Sequence, residues 1–265
     1  MTLDIARVGA LMREVAAEEI LPRYRNLAAH EVREKKAGSV VTTADLAAEA
    51  RLINGLASIA PEATVVAEEM AEGDLAAVLA RLHEDAPVWV IDPVDGTANF
   101  ADGKSPFCVI VAYVEHGATR AGWILDVVAN ELTVAEEGSG TFRDHTRVRV
   151  AAPTALGETT GYLGQRLRDR PALAARLGTF RVTRCAGRDH MDLAQGALHY
   201  ALYRRTWPWD HAAGALLHRE AGGHNAAWDG APYNAAGGPE QGLLLAPDAA
   251  SWHALRDLVG AHSPG

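Results

Sequence analysis

Residues 88–100 constrain the fold of this chain most strongly, because a short apolar run there leads directly into a turn with two carboxylates. The run at 88–91 has the composition of a strand that is buried on both faces. Asp92 and Asp95 follow with a proline between them, and Gly96 permits a backbone conformation that other residues avoid. Carboxylates at the end of a buried strand are rarely left without a partner. The stretch therefore predicts a buried strand that ends in a polar site.

Two interpretations of this turn are open when it is considered alone. Asp, Pro and Gly all favour turns, so an isolated Asp-Pro-x-Asp-Gly run is equally consistent with a surface turn. Carboxylate oxygens at a strand end are also the ligands that Mg²⁺ prefers, and the N–H groups of Gly96 and Thr97 can bind an anion. The strand before the turn and the acidic residues elsewhere in the chain favour a magnesium site.

The composition is ordinary for a globular protein and argues against several classes of function. The chain has 265 residues, of which 48% are hydrophobic and 22% charged, enough for a sizeable core. The net charge of −9 argues against a nucleic-acid partner. We see no signal peptide and no apolar run long enough to span a bilayer, so we expect a cytoplasmic protein without membrane contact. Cys108 and Cys185 are expected to be free thiols.

The hydrophobic pattern predicts an α+β half, residues 1–150, followed by an α/β half, residues 151–265, packed closely as one compact unit. The second predicted helix has Thr43 as its cap, and a loop with a short extended segment is predicted at 34–43. The predicted helices are residues 3–27, 44–59, 74–84, 170–177, 188–196, 210–221 and 248–259. The predicted strands are residues 64–67, 88–91, 107–115, 120–128, 131–136, 147–150, 159–163, 180–183, 200–203 and 243–245.

Four separated segments resemble, in order, the signatures of the inositol monophosphatase family of lithium-sensitive, magnesium-dependent phosphatases. W-V-I-D-P-V-D-G-T-A-N-F at 89–100 resembles W-x-I-D-P-[IL]-D-G-T-x-N-F. W-D-H-A-A-G at 209–214 resembles W-D-x-A-A-G, and its helix ends in E-A-G-G, as in the family. V-T-T-A-D at 41–45 and the glutamate pair at 68–69 also match.

Each acidic match has a plain structural alternative. Asp45 can be an acid in the first turn of a helix, the glutamate pair can be a solvated edge, and Asp210 can be a helix N-cap. The agreement of all four segments, in the same order along the chain, favours the family over chance.

The resemblance implies a layered α/β/α/β/α sandwich of the inositol monophosphatase and fructose-1,6-bisphosphatase type. It implies two or three Mg²⁺ ions per site, and the implied metal ligands are Glu68, Asp92, the carbonyl of Val94, Asp95 and Asp210. The implied catalytic pair is Asp45 and Thr97, and the residues implied to bind the substrate phosphate are Asp95, Gly96, Thr97 and Asp210. Water activated by the metal would then hydrolyse a small phosphate monoester without a phosphoenzyme. A homodimer and inhibition by lithium are expected from the resemblance alone.

Two departures from the family pattern concern the leaving-group pocket. Family members that act on inositol carry a glutamate about seven residues before the aspartate of the W-D signature, whereas this chain has Tyr-Arg-Arg-Thr at 203–206, including Arg204 and Arg205. Arg188 and Asp189 replace small residues of the family pattern. We therefore expect that myo-inositol 1-phosphate is not the preferred substrate. Histidinol phosphate, 3′-phosphoadenosine 5′-phosphate and fructose 1,6-bisphosphate, which similar relatives hydrolyse, remain open.

Other functional classes fit the sequence less well. Six residues separate Gly96 from Gly103-Lys104-Ser105, where a nucleotide-binding P-loop requires four between its glycines. The sequence contains no G-x-S-x-G for a serine hydrolase and no H-E-x-x-H for a zinc hydrolase. Some relatives also act in transcription complexes, so a regulatory binding protein is the alternative from another class. The intact acids favour an enzyme.

Overall fold

The computed structural model of this protein describes residues 3–35 and 40–261, so residues 36–39 of the predicted loop lie outside it. The helices α1 to α9 are Ile5–Val15, Thr43–Ala57, Leu75–Ala80, Thr97–Ala101, Gln165–Arg168, Pro171–Ala174, Ala186–Ala194, Pro208–Glu220 and Ala249–Ala261. The strands β1 to β14 are Val32–Glu34, Val40–Thr42, Thr64–Ala67, Val88–Asp95, Cys108–Glu115, Ala118–Asp126, Glu131–Glu136, Gly140–Arg143, Thr146–Arg147, Thr160–Leu163, Thr179–Phe180, Tyr200–Tyr203, His224–Ala226 and Leu243–Ala246.

Most of these strands form two large sheets, and β1 and β2 form a small antiparallel pair. The first large sheet has the order β3-β4-β5-β6-β7-β8-β9, in which β3 and β4 are parallel and the other neighbours antiparallel. The second has the order β11-β10-β12-β14-β13 and is mixed. The meander of β5, β6 and β7 follows from their strand-like composition and from the turns between them.

Helices cover both faces of each large sheet. Helices α1 and α2 pack on one face of the first sheet, around the fully buried Trp89 and Trp123. Helices α7 and α8 lie between the two sheets, where Ala213 contributes to the core of the first sheet and Ala215 to that of the second. Helices α5, α6 and α9 cover the outer face of the second sheet, around Trp252. This arrangement confirms the predicted α/β/α/β/α sandwich.

The structure corrects several predicted boundaries. Helix α1 ends at Val15 and continues as a π-helical turn, not as one helix to residue 27. The N-cap of α2 is Thr42 rather than Thr43, because Thr42 has extended dihedral angles and accepts from the N–H of Ala44. Strands β1, β8 and β13 and helices α4 and α5 were missed. The strand expected at 147–150 is only Thr146–Arg147, and the one expected at 180–183 is only Thr179–Phe180.

Strand β4 is longer than the apolar run that predicted it. It continues through Asp92-Pro93-Val94 to Asp95, and its register with β5 shifts between Asp92 and Asp95. A bulge tolerates a proline because one residue there is left out of the ladder. The predicted turn is therefore an irregular strand end, in which all eight residues of β4 are buried.

Across the described residues, none of the helices has the length and apolar character that crossing a bilayer requires.

Candidate active site

The irregular end of β4 positions two buried aspartates. Asp92 is 1% exposed and Asp95 is 8% exposed. The N–H of Val94 donates to Oδ1 of Asp92 at 3.0 Å, which fixes that side chain on its own strand. Gly96 then turns the chain into α4 with a φ of 91°, and a Cβ on it would lie 3.1 Å from the carbonyl oxygen of Pro106. Glycine is required there on both counts.

Asp95 is held from the other side by the start of α7. The N–H of Gly187 donates to Oδ2 of Asp95 at 2.6 Å, and the N–H of Ala186 donates to Oδ1 at 3.2 Å. The Cys185 thiol also donates to Oδ2, at 3.1 Å. Burial raises the pKa of Asp95 to about 6, and these hydrogen bonds oppose that rise. Cys185 and Cys108 are buried free thiols, as predicted.

Asp210 joins these aspartates from the first turn of α8. Trp207 is the N-cap of that helix and Pro208 its first residue, so Asp210 is not the cap. One carboxylate oxygen each of Asp92, Asp95 and Asp210 lies within 4.8 Å of the others. Burial, together with the neighbouring acids, raises the pKa of Asp92 and of Asp210 well above the ordinary value. Such a cluster of anionic oxygens matches the ligand set of a hard divalent cation.

The glutamate pair after β3 borders the same cluster. Glu68 keeps 24% of its side chain exposed, whereas Glu69 is buried. The charge of Glu68 raises the pKa of Asp92 and of Asp210, which places it on the side of the metal cluster. Burial and then the charge of Glu68 raise the pKa of Glu69 to about 8. Glu68 therefore faces the cluster, whereas Glu69 is buried away from solvent.

Sequence reasoning missed Lys35 at this site. Its Nζ lies 3.1 Å from Oε1 of Glu68 and 2.6 Å from Oε1 of Glu69, and its side chain is 10% exposed. No motif marks it, because a lysine in a polar loop is ordinarily solvated. The contact depends on Lys35, directly after β1, lying against the end of β3.

Asp45 and Thr97 lie together, as the resemblance implied. The Thr97 hydroxyl is 3.1 Å from Oδ1 of Asp45 and 2.9 Å from the carbonyl oxygen of Val94. The other Asp45 oxygen accepts from the N–H of Thr42 at 2.9 Å and from the Thr42 hydroxyl. Burial raises the pKa of Asp45 to about 6 despite these bonds. Asp45 therefore completes a capping box at the start of α2 and also contacts Thr97.

A cavity of about 190 Å³ opens beside Asp210, and Asp189 and Arg205 are among its lining residues. Arg188 and Asp189, which depart from the family pattern, are neighbours on α7 but have different surroundings. Asp189 lines this cavity, whereas Arg188 pairs with Asp192 at 2.6 Å and with Asp126 at 3.2 Å and lines another one. Arg205 is mostly exposed, lies 3.3 Å from Glu240 and stacks over Trp207.

Comparison with known proteins agrees with this geometry. Residues 4–259 match the model of the inositol monophosphatase family. The fructose-1,6-bisphosphatase/inositol-1-monophosphatase of Thermotoga maritima is 32% identical over 210 residues, covering 76% of this chain and 77% of that protein. The Nus factor SuhB of Escherichia coli K12 is 33% identical over 218 residues, covering 78% and 79%. A solved Thermotoga maritima IMPase superposes with a TM-score of 0.79 at 26% identity, covering 96% and 97%.

The match spans nearly the whole chain, and the solved relative shares the layered fold. The chain therefore agrees with the family in its fold as well as in its motifs. The chain belongs to the inositol monophosphatase family, a family of metal-dependent phosphatases that hydrolyse phosphoric monoesters.

Proposed function

We propose that this protein is a magnesium-dependent phosphatase that hydrolyses a small phosphate monoester by direct attack of water, without a phosphoenzyme. The observation that carries the proposal is the approach of Asp92, Asp95 and Asp210 to within 4.8 Å, with the Thr97–Asp45 pair beside the end of β4. Acids from 1–150 and from 151–265 meet there, which supports the proposal that the two halves act as one unit.

The donor atoms of this site suit Mg²⁺. The proposed ligands are all oxygens, since Glu68, Asp92, Asp95 and Asp210 contribute carboxylates and Val94 contributes its carbonyl. Burial and the neighbouring acids raise the pKa of Asp92 and of Asp210, so a cation bound at this cluster would favour their ionised forms. When bound, two or three Mg²⁺ ions would supply an activated water and charge stabilisation for the phosphate.

The protein's own groups would orient the reactants. The Thr97 hydroxyl, held by Asp45 and by the Val94 carbonyl, would position the attacking water and accept or relay its proton. Gly96 is the N-cap of α4 and Thr97 is its first residue. The N–H groups at the start of a helix have no intrahelical acceptor, so these two can bind phosphate oxygens. Asp95 and Asp210 border the same position and complete the proposed phosphate-binding set.

We propose the substrate as a class, the small phosphate monoesters. Asp189 and Tyr203 line the cavity beside Asp210. Family members that act on inositol have a glutamate near the position of Tyr203, so this pocket differs from theirs. We therefore propose that myo-inositol 1-phosphate is not preferred; histidinol phosphate, 3′-phosphoadenosine 5′-phosphate and fructose 1,6-bisphosphate are the substrates to compare with it. Cytoplasmic location, a homodimer and lithium inhibition are further expectations from family membership.

A regulatory role in transcription is the second candidate, since one relative is named a Nus factor. The presence of every proposed metal ligand supports catalysis instead. Pull-down with the transcription machinery, set beside a phosphatase assay, separates the two: specific retention by a protein without Mg²⁺-dependent phosphate release would favour the regulatory role.

The test of the proposed function is phosphate release from the four esters with Mg²⁺ and with a chelator. We expect magnesium-dependent release, and a loss of about 100-fold or more in Asp92→Asn and in Asp210→Asn, because each removes a proposed ligand charge. Asp85→Asn, an exposed aspartate outside the site, is the matched control and should retain full activity. Release that is unchanged by the chelator or by Asp92→Asn would contradict the metal assignment.

A further inference from the structure

Asp189 is a buried carboxylate that faces the cavity beside Asp210. It lies on α7 and is 1% exposed. Its oxygens accept from the Thr183 hydroxyl at 2.8 Å and from the Tyr203 hydroxyl at 3.3 Å, both neutral donors. Among the side chains that the structure describes, no lysine, arginine or histidine nitrogen lies within ion-pair distance of it. Buried carboxylates ordinarily have a cationic partner, so this environment is incomplete.

The neighbouring Asp192 shows the contrast on the same helix. It is also 1% exposed, but it lies 2.6 Å from Arg188 and 3.0 Å from Arg181. Of the arginines whose side chains are described, two pair with Asp192 and none pairs with Asp189. Burial raises the pKa of Asp189 to about 7, and the nearby charge of Asp95 adds to that rise. A cation that entered the cavity would offset both effects.

The cavity has the position and size for the alcohol part of a small ester. It has a volume of about 190 Å³ and is open to solvent, so a small organic group can enter it. Asp210, a proposed metal ligand, lies on its wall, so a phosphate at the metal site would direct its alcohol group into this space. The rings of Tyr162 and Tyr203, stacked with centroids 4.9 Å apart, form an aromatic wall beside Asp189.

The arginines at the cavity do not fill this role. Arg205 lies 3.3 Å from Glu240 and has 62% of its side chain exposed. Arg184 lies 3.9 Å from Asp102 and has 58% of its side chain exposed. Both are solvated groups with acidic neighbours other than Asp189. The missing partner of Asp189 is therefore expected to come from a ligand.

Building on the proposed phosphatase function, we propose that the alcohol part of the substrate carries a cationic nitrogen, an ammonium or an imidazolium, which pairs with Asp189. Asp189 is then a specificity-determining residue: it selects amino-alcohol phosphates over polyol phosphates, which lack a cation. An ion pair with a group that is otherwise unpaired and buried discriminates strongly against a neutral ligand, because that ligand leaves the carboxylate uncompensated.

Two esters of matched size test this inference: 4-aminobutyl phosphate and pentyl phosphate, which differ by an ammonium in place of a methyl group. With Mg²⁺, we expect kcat/KM to be roughly 10- to 100-fold higher for the amino ester. In Asp189→Asn, which keeps the side-chain shape, this ratio should fall to within about threefold of unity, mainly through the KM of the amino ester. Asp257→Asn, an exposed aspartate, should keep the wild-type ratio.

The outcomes separate this inference from the proposed function. Magnesium-dependent hydrolysis of both esters without a preference for the amino ester would overturn the inference and leave the phosphatase proposal intact. A preference that persists in Asp189→Asn, with the variant shown to be folded by thermal melting, would also overturn it. If neither ester is hydrolysed by a protein that releases phosphate from one of the four esters above, the inference fails and the phosphatase proposal stands. If none of the six esters is hydrolysed, both fail.

Discussion

The Thr97 hydroxyl has two oxygen neighbours, Oδ1 of Asp45 at 3.1 Å and the carbonyl oxygen of Val94 at 2.9 Å. A hydroxyl has one hydrogen and two acceptor lone pairs, so it donates to one of these oxygens at a time. Asp45 is held by Thr42 at the same time. The pair is therefore positioned by α2, α4 and β4 before any substrate binds, which is the arrangement that the proposed transfer of a proton from water through Thr97 to Asp45 requires.

This geometry predicts that Thr97→Val lowers kcat roughly 10²- to 10⁴-fold, the range typical of a lost general acid–base group, because valine keeps the shape but removes the hydroxyl. Thr97→Ser retains the hydroxyl and should stay within about tenfold of wild type. Steady-state phosphate release, with the Mg²⁺ dependence measured for each variant, distinguishes a catalytic loss from weaker metal binding through Val94. Wild-type turnover by Thr97→Val would show that the hydroxyl is dispensable.

At the scale of elements, the candidate site forms where the end of β4 meets the starts of three helices. Helix α4 contributes Thr97, helix α8 contributes Asp210, and the first N–H groups of α7 bind Asp95. Gly96 is the junction between β4 and α4. Its φ of 91° would strain any other residue, and a Cβ would lie only 3.1 Å from the Pro106 carbonyl oxygen, so the junction favours glycine.

Gly96→Ala should therefore destabilise the protein by about 1–3 kcal/mol, because a Cβ adds backbone strain and meets the Pro106 carbonyl oxygen. Gly138→Ala is the matched control: its φ is 82°, but a Cβ there would meet nothing within 4 Å. Gly138→Ala should therefore add backbone strain alone and lower the free energy of unfolding by less than Gly96→Ala does. Urea unfolding of both variants measures the difference, and equal losses would mean that the contact at Gly96 is relieved without cost.

At the scale of the whole molecule, the site concentrates negative charge in a protein whose net charge is already −9. Burial raises the pKa of Asp45 and Asp95 to about 6, of Glu49 to about 7 and of Glu69 to about 8. An unfolded carboxyl titrates near pH 4. The folded protein therefore binds protons more tightly than the unfolded chain, and the free energy of unfolding falls as the pH rises from about 4 to about 8.

Without divalent cations, the melting temperature should accordingly fall by roughly 4–8 °C between pH 5 and pH 8, the shift expected for about 2 kcal/mol in a protein of this size. Millimolar Mg²⁺ should raise it at pH 8 far more than at pH 5, because the cation binds the ionised carboxylates. Thermal melts in chelator and in Mg²⁺ at both pH values check this. A melting temperature that rises with pH in chelator would contradict the charge arrangement described here.

The hydrophobic pattern predicted the order of most elements, and the resemblance to the family implied the layered architecture. It also identified Asp45, Glu68, Asp92, Asp95 and Asp210 as candidates for one site. These features depend on local properties: the periodicity of apolar residues, turn and cap chemistry, and motifs that resemble a known family. Errors are concentrated where local signals are weak, as at the short strands β8 and β13, or where a bulge extends a strand past a proline, as in β4.

The tertiary structure alone decided which groups meet across long separations in the chain. The N–H of Gly187 reaches Asp95 across 92 residues, and Lys35 reaches Glu69 across 34. Arg188 and Asp189 are adjacent in sequence, yet Arg188 pairs with Asp126 and Asp192, while Asp189 faces the cavity and has no ion pair among the described side chains. Helix packing sets the direction of each side chain, so the partners of a buried charge depend on contacts that no local pattern specifies.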